Sequence, residues 1–125
     1  MNCPFCNVPE HEVIAESEYS FAKMDGYPIS KWHTLLISKR HVASYFDLTE
    51  VEQMDMIKLL NLVKANTDKQ FSTSQYNVGI NCGELAGQTI GHVHIHLIPR
   101  TSGDVSDPRG GVRWVIPDKA KYWDE

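Results

Sequence analysis

The chain has 125 residues, a formal net charge of −4, 42% hydrophobic and 22% charged side chains, which is material for one domain, 1–125, with one core. The acidic balance excludes a general nucleic-acid binder, whose footprint is basic, and no apolar run approaches the roughly 18 residues of a membrane span. Met1-Asn2-Cys3-Pro4-Phe5-Cys6 has neither the charged nor the apolar region of a secretory signal, so a cytoplasmic protein without nucleic-acid or membrane partners is expected.

The chain opens on a C-x2-C pair, Cys3 and Cys6. A redox motif of this kind normally follows a strand, and none precedes Cys3. A third cysteine, Cys82, and the missing signal argue against a disulfide framework. What remains is half of a zinc site, needing two more ligands, or two free thiols at a terminus. Cys82 itself reads as a small buried residue.

Strands are expected at Glu12–Glu18 and Tyr19–Met24, closed by the turn Asp25-Gly26-Tyr27-Pro28, and at Thr34–Ser38. One long helix fits Glu50–Phe71. Thr49 is a good N-cap and Glu52 stands three residues on, the pattern of a capping box. Met56, Leu59, Leu60 and Val63 form an apolar stripe, while Val51, Met54, Ile57 and Leu62 lie mostly off it. A helix apolar on two sides needs two covers. The sheet is one; the other is either a second subunit or the C-terminal tail. Further strands are expected at Tyr76–Cys82 and His92–Pro99. From Thr101 the chain is rich in Gly, Pro and Asp, with a short edge strand expected at Gly110–Ile116. Strands grouped around one helix, without regular alternation, make the class α+β with a mainly antiparallel five-stranded sheet.

The most informative segment is Gly91-His92-Val93-His94-Ile95-His96-Leu97-Ile98-Pro99. Side chains alternate across a strand, so Val93, Ile95 and Leu97 face the core and His92, His94 and His96 the other side. At about 3.3 Å per residue, His92 and His96 stand roughly 13 Å apart, too far to share one metal ion. The row is therefore divided between two tasks or wholly catalytic. Before it lies Asn81-Cys82-Gly83-Glu84-Leu85-Ala86-Gly87-Gln88-Thr89-Ile90, whose glycines admit close approach of a ligand to the backbone.

Gly87-Gln88-Thr89 followed by His-φ-His-φ-His-φ-φ, φ being apolar, resembles the signature of the histidine triad (HIT) superfamily. The Gln-Thr before it and Pro99-Arg100 after it are most similar to the diadenosine-polyphosphate hydrolase branch, of the fragile-histidine-triad type. The resemblance extends over roughly Cys3 to Arg100. It implies a HIT-like fold and nucleotidyl transfer at an α-phosphate through a covalent nucleotidyl-histidine, with His94 as nucleophile. It implies that His96 and His33 donate to the phosphate oxygens, that Gln88 and Thr89 contact the bridging and leaving-group oxygens, that Asn81 lies beside the phosphate, and that Asp25 holds the ribose. Similarity to zinc-bearing bacterial members implies a structural zinc held by Cys3, Cys6, His41 and His92, and a homodimer.

Arg109 and Arg113 stand outside the resemblance. Their guanidinium forks suit a polyphosphate chain, or they pair with the tail's own aspartates. Trp114, Tyr122 and Trp123 are candidates for stacking on a base or a partner subunit. The expected activity is hydrolysis of a dinucleoside polyphosphate such as diadenosine tetraphosphate. The alternatives are a purine-nucleoside phosphoramidase and a zinc-stabilised nucleotide-binding module with little turnover. A uridylyltransferase-like enzyme normally needs a longer, doubled chain.

Overall fold

The computed structural model describes residues 2–71 and 74–124. Five strands form one antiparallel sheet: β1 (Val13–Glu16), β2 (Ser20–Met24), β3 (Thr34–Ser38), β4 (Gln75–Ile80) and β5 (His94–Arg100), in the order β1-β2-β3-β5-β4. The long helix α1 (Glu50–Asp68) connects β3 to β4, and a short helix α2 (Pro117–Ala120) lies near the C-terminus. The α+β class and the five-stranded sheet agree with the sequence reading. Strand ends differ by at most two residues, and α1 stops at Asp68 rather than Phe71, where Lys69 donates back to Asn66 and Thr67.

Helix α1 covers one face of the sheet. Met56, Leu59 and Val63 pack on Ala22, Leu36, Val93, Ile95 and Leu97. Each such aliphatic side chain, taken fully from water, contributes about 1.5–3 kcal/mol. The alternation of β5 therefore sends Ile95 and Leu97 to the helix, as their spacing implies. On the opposite face Phe5, Leu35 and Ile37 make a smaller cluster that leaves much of the sheet uncovered. The central strand β3 is buried throughout.

The second apolar side of α1 is not covered by the tail: Val51, Met54 and Leu62 are 60%, 59% and 53% exposed. The tail instead abuts β4, where a Cβ on Gly111 would stand 3.3 Å from the Asn77 amide nitrogen. It is not an edge strand. Gly110 and Gly111 both have positive φ, 93° and 42°. That left-handed backbone opens a 3-10 turn over Gly111–Val115 in place of an extended run. Side chains lock the turn. Arg113 donates to the carbonyls of Lys119 and Ala120, and Trp114 Nε1 donates to the Arg109 carbonyl.

The start of α1 is tied to the loop after β3. Thr49 and Glu52 form the expected capping box, with bonds of 3.1 and 2.9 Å. Glu52 also receives a two-pronged bond from Arg40 at 2.8 and 2.9 Å, which with the cap holds its carboxyl down at about 2. The folded value lies below the ordinary 4.5, so the pair's contribution is present above about pH 4.5 and lost as pH falls toward 2. Arg40→Ala is expected to lower stability only modestly near neutral pH, because Arg40 is half exposed. Denaturant titrations should show that deficit constant above pH 4.5 and closing below it. A deficit equally large at pH 3 would mean that the ion pair is not its source.

Candidate functional site

The reactive geometry is built where β5 begins. His92 and Val93 precede the strand proper. Val93 bonds through its amide to the Val42 carbonyl and through its carbonyl to the Ser38 amide. His92 stands at the end of the row, just ahead of the strand. Its side chain is fully buried, and the Phe5 ring packs on it at 5.9 Å. The His92 carbonyl, 2.8 Å from His94 Nδ1, accepts that nitrogen's proton. A neutral His94 so held carries its lone pair on Nε2. The Phe5 ring packs against the His94 imidazole at 5.0 Å.

His96 and His33 form a second tautomer-defined pair. The Ile29 amide donates to His33 Nδ1 at 3.2 Å, so the proton of neutral His33 sits on Nε2. That nitrogen is 2.9 Å from His96 Nδ1 and 3.3 Å from Asp25 Oδ2. His96 Nδ1 is thereby the acceptor, which leaves its Nε2–H as a donor. Burial pushes both imidazoles below the usual histidine value; neighbouring His94 and His33 add to this at His96, and Asp25 partly offsets it at both. His33 reaches His96 rather than open space, and Asp25 stands behind this pair while its Oδ1 accepts the Tyr27 amide. Asp25, His33 and His96 are close enough together to suggest a metal site. The proton that the Ile29 contact leaves on His33 Nε2 argues against one, since a ligand nitrogen needs its lone pair free.

A different cluster suits a metal. Cys3 Sγ lies 3.4 Å from His92 Nδ1, Cys6 Sγ 3.1 Å from His41 Nδ1, and the two Nδ1 atoms are 3.2 Å apart. Tetrahedral ligands with bonds of about 2.0–2.3 Å stand roughly 3.3–3.7 Å from one another. His92 Nε2 is 2.6 Å from the Ser38 carbonyl, which takes its proton and leaves Nδ1 free to ligate. The four residues named from the sequence are thus brought to one point, and their donor set fits a thiolate-preferring divalent ion.

The remaining candidates divide. His94, His96, Asp25, Asn81 and Thr89 all line one cleft of about 1400 Å³. Gln88 is occupied in holding its own loop: its oxygen accepts from Gly83 and its amide donates to the carbonyls of Ala43 and Ile90. Arg109 is bound to Asp107 and stacked 4.6 Å from the Trp123 ring, and Arg113 lies 4.7 Å from the Tyr122 ring. Both are structural clasps here. Trp114 lines the cleft. Cys82 is half-buried, not buried. Sequence reasoning missed Phe5, the Ile29 amide and the Ser38 carbonyl. Two of these are backbone groups, which carry no residue-specific signal.

Residues 7–103 match the HIT domain family. The chain is 38% identical over 96 residues to the bis(5'-nucleosyl)-tetraphosphatase [asymmetrical] of Schizosaccharomyces pombe, covering 77% of this chain and 53% of that protein. It is 35% identical over 129 residues to the adenosine 5'-monophosphoramidase hnt1 of the same yeast, covering 97% and 92%. It thus spans about half of the first of these, and only 23% of the nitrilase and fragile histidine triad fusion protein NitFhit of Caenorhabditis elegans. Among solved structures, Plasmodium falciparum diadenosine triphosphate hydrolase superposes with a TM-score of 0.75 at 32% identity, over 80% of this chain and 68% of that one. A HIT family protein from Bacillus anthracis gives 0.76 at 32%, over 82% and 76%.

Protein purified without added metal should carry close to one equivalent of a divalent ion by elemental analysis. Cys6→Ser should lose that ion and melt at a lower temperature in the same preparation. Unchanged metal content in this variant would show that the ion sits elsewhere.

Proposed function

The chain belongs to the HIT domain family, and on that premise we propose that it is a nucleotide hydrolase. It cleaves dinucleoside polyphosphates, such as diadenosine tetraphosphate, at the α-phosphate. The observation that carries this reading is the 2.8 Å contact of His94 Nδ1 with the His92 carbonyl, which leaves a nucleophilic Nε2 in a cleft large enough for a nucleotide. His94 Nε2 attacks the α-phosphorus, and the phosphorus–oxygen bond to the leaving nucleotide breaks as the phosphorus–nitrogen bond forms. Water then cleaves that bond, releasing a nucleoside monophosphate and neutral His94. Two displacements at a good leaving group replace one difficult attack by water.

His96 Nε2–H donates to a non-bridging oxygen, where charge must be stabilised, and His33 with Asp25 keeps that proton in place. Asn81 and Thr89 flank the phosphate chain. Asp25 offers its remaining lone pairs to the ribose hydroxyls. Gln88 contributes by shaping the loop, a supporting role that its three internal bonds favour.

The metal is zinc, held by Cys3, Cys6, His41 and His92. When bound it supplies a structural cross-link between the N-terminus, the loop after β3 and the start of β5. Paired thiols of this kind suit a reducing compartment such as the cytoplasm; among the described residues, no helix is long and apolar enough to cross a membrane. A second copy of the chain covers the exposed apolar side of α1, giving a homodimer. A monomer by light scattering would remove that part of the reading.

A phosphoramidase is the second reading, supported by the match to hnt1 along 97% of this chain. The two share His94 and differ in the leaving group. Product separation after incubation with diadenosine tetraphosphate and with adenosine phosphoramidate distinguishes them. Turnover of the first at the higher kcat/KM is expected, and His94→Ala should lower it by at least about 10³-fold with the melting temperature little changed. No nucleotide release from either substrate would sink both readings.

A further inference from the structure

One row of the cleft floor crosses four strands: Lys23, Leu35, His96 and Gly79 stand opposite one another in turn. Residues directly opposite share a face, and all four line the cleft. Paired strands lie about 4.8 Å apart, so Lys23 stands roughly 10 Å from His96 along the row, with Leu35 between them. Leu35 is buried and packs with Phe5, which makes the ground between the two an apolar platform. Asp25, one residue beyond the end of β2, lines the cleft beside it. On the hydrolase reading the phosphate lies at His96 and the ribose at Asp25. The base of the same nucleotide then rests on Leu35 and Phe5, with its outer edge toward Lys23.

Among the described residues, Lys23 and Arg100 are the lysine and arginine side chains that line the cleft, and they are committed differently. Arg100 is spent on Asp104 and Asn77. Lys23 Nζ donates to the Met24 carbonyl at 2.9 Å and stands 3.7 Å from Glu12 Oε1. An ammonium carries three N–H groups, and one of them is engaged at hydrogen-bond distance, so donors remain for a ligand. The Lys23 side chain is nonetheless only 13% exposed, where a lysine ordinarily stands in water. A charge withdrawn from water is costly unless it is matched, and Glu12, at 3.7 Å and itself 44% exposed, is a loose partner. A placed donor at the margin of an apolar platform is the composition of a site that fixes a ligand's orientation.

We propose that Lys23 determines which base the transferred nucleotide carries, selecting a 6-oxopurine (guanine or hypoxanthine) over adenine. The outer edge of a 6-oxopurine presents two acceptors, N7 and O6, and both suit an ammonium. The same edge of adenine sets the N7 acceptor beside an N6 amino donor. Lys23 offers donors only, so adenine leaves one contact unmade and turns N–H toward N–H. Adenine nucleotides still enter, held by His96, Asp25 and the platform, but less tightly. The 2-amino group of guanine takes no part. This assignment rests on the hydrolase reading for the direction in which the nucleotide lies. It narrows the preferred substrates from dinucleoside polyphosphates at large to those that bear a 6-oxopurine.

The test is binding, which needs no turnover. Calorimetric Kd values are measured for guanosine, inosine and adenosine 5'-monophosphates, each with a single base. The proteins are the parent, Lys23→Met, which keeps the apolar stem, and Lys23→Gln, which has both a donor and an acceptor and so suits adenine. The parent is expected to bind the guanosine and inosine nucleotides at least about fivefold more tightly than the adenosine nucleotide. Lys23→Met should bring the three together and Lys23→Gln should shift the order toward adenosine, with melting temperatures near the parent's. Equal affinities in the parent, a preference for guanosine that inosine does not share, or a preference that survives in both variants would each overturn the assignment. So would an equal loss for all three nucleotides in Lys23→Met, which would place the ammonium on the ribose or phosphate. If none of the three binds, the assignment also falls. The hydrolase reading fails on a different result, the absence of nucleotide release, so the two failures are told apart.

Discussion

The arrangement depends on one residue placed at a junction. The side chain of His92 is buried among Cys3, Cys6 and His41, while its own carbonyl receives the proton of His94. Its backbone position is fixed from outside the ladder, by the bonds of Val93 to Ser38 and Val42. Orientation of the reactive imidazole is therefore inherited from whatever holds His92 still. A metal-type cluster next to a phosphate-type cleft is then a single mechanical unit. Loosening the cluster would move a carbonyl before it moved any group in the cleft.

From that junction the sheet propagates order outward. Antiparallel pairing places Leu35 and Gly79 on either side of His96, so the floor of the cleft is as rigid as the ladder beneath it. Slippage of β4 by one residue would exchange Gly79 for Val78 or Ile80 beside His96 and fill the floor. The helix face of the same strands prevents this: Ile80 and Tyr76 pack against the core under α1, and register is pinned there by hydrophobic burial. The unencumbered floor beside His96 is thus maintained by packing on the far side of the sheet.

What was legible in the sequence follows from how local each signal is. The alternation of Val93, Ile95 and Leu97 reports a face directly, and Thr49 with Glu52 reports a helix start, because both patterns are completed within a few residues. Cys3, Cys6, His41 and His92 could be named through family resemblance, while the backbone groups that fix His92, the Ser38 carbonyl at its Nε2 and the bonds of Val93 to residues 38 and 42, carry no signal in any periodicity. Gln88, Arg109 and Arg113 have the chemistry of phosphate ligands, yet the structure commits them to backbone carbonyls, a carboxylate and aromatic rings. The Gly110-Gly111 pair turned an expected strand into a 3-10 turn, since two left-handed residues in succession cannot extend.

The net charge of −4 acquires a physical meaning through the histidines. A polyanion is usually matched by cations, but burial lowers the proton affinity of His33 and His96, so at neutral pH they present N–H groups rather than charge. Neutral donors bind phosphate oxygens without trapping a charged product. The same shift has a thermodynamic sign. The unfolded chain takes up protons on these residues near pH 6.5, before the folded one does. Stability from this source is therefore full above that pH and drains away as pH falls below it. The protein buys its neutral site with acid sensitivity, and a carboxylate at Asp25, 3.3 Å from His33, moderates the exchange without reversing it.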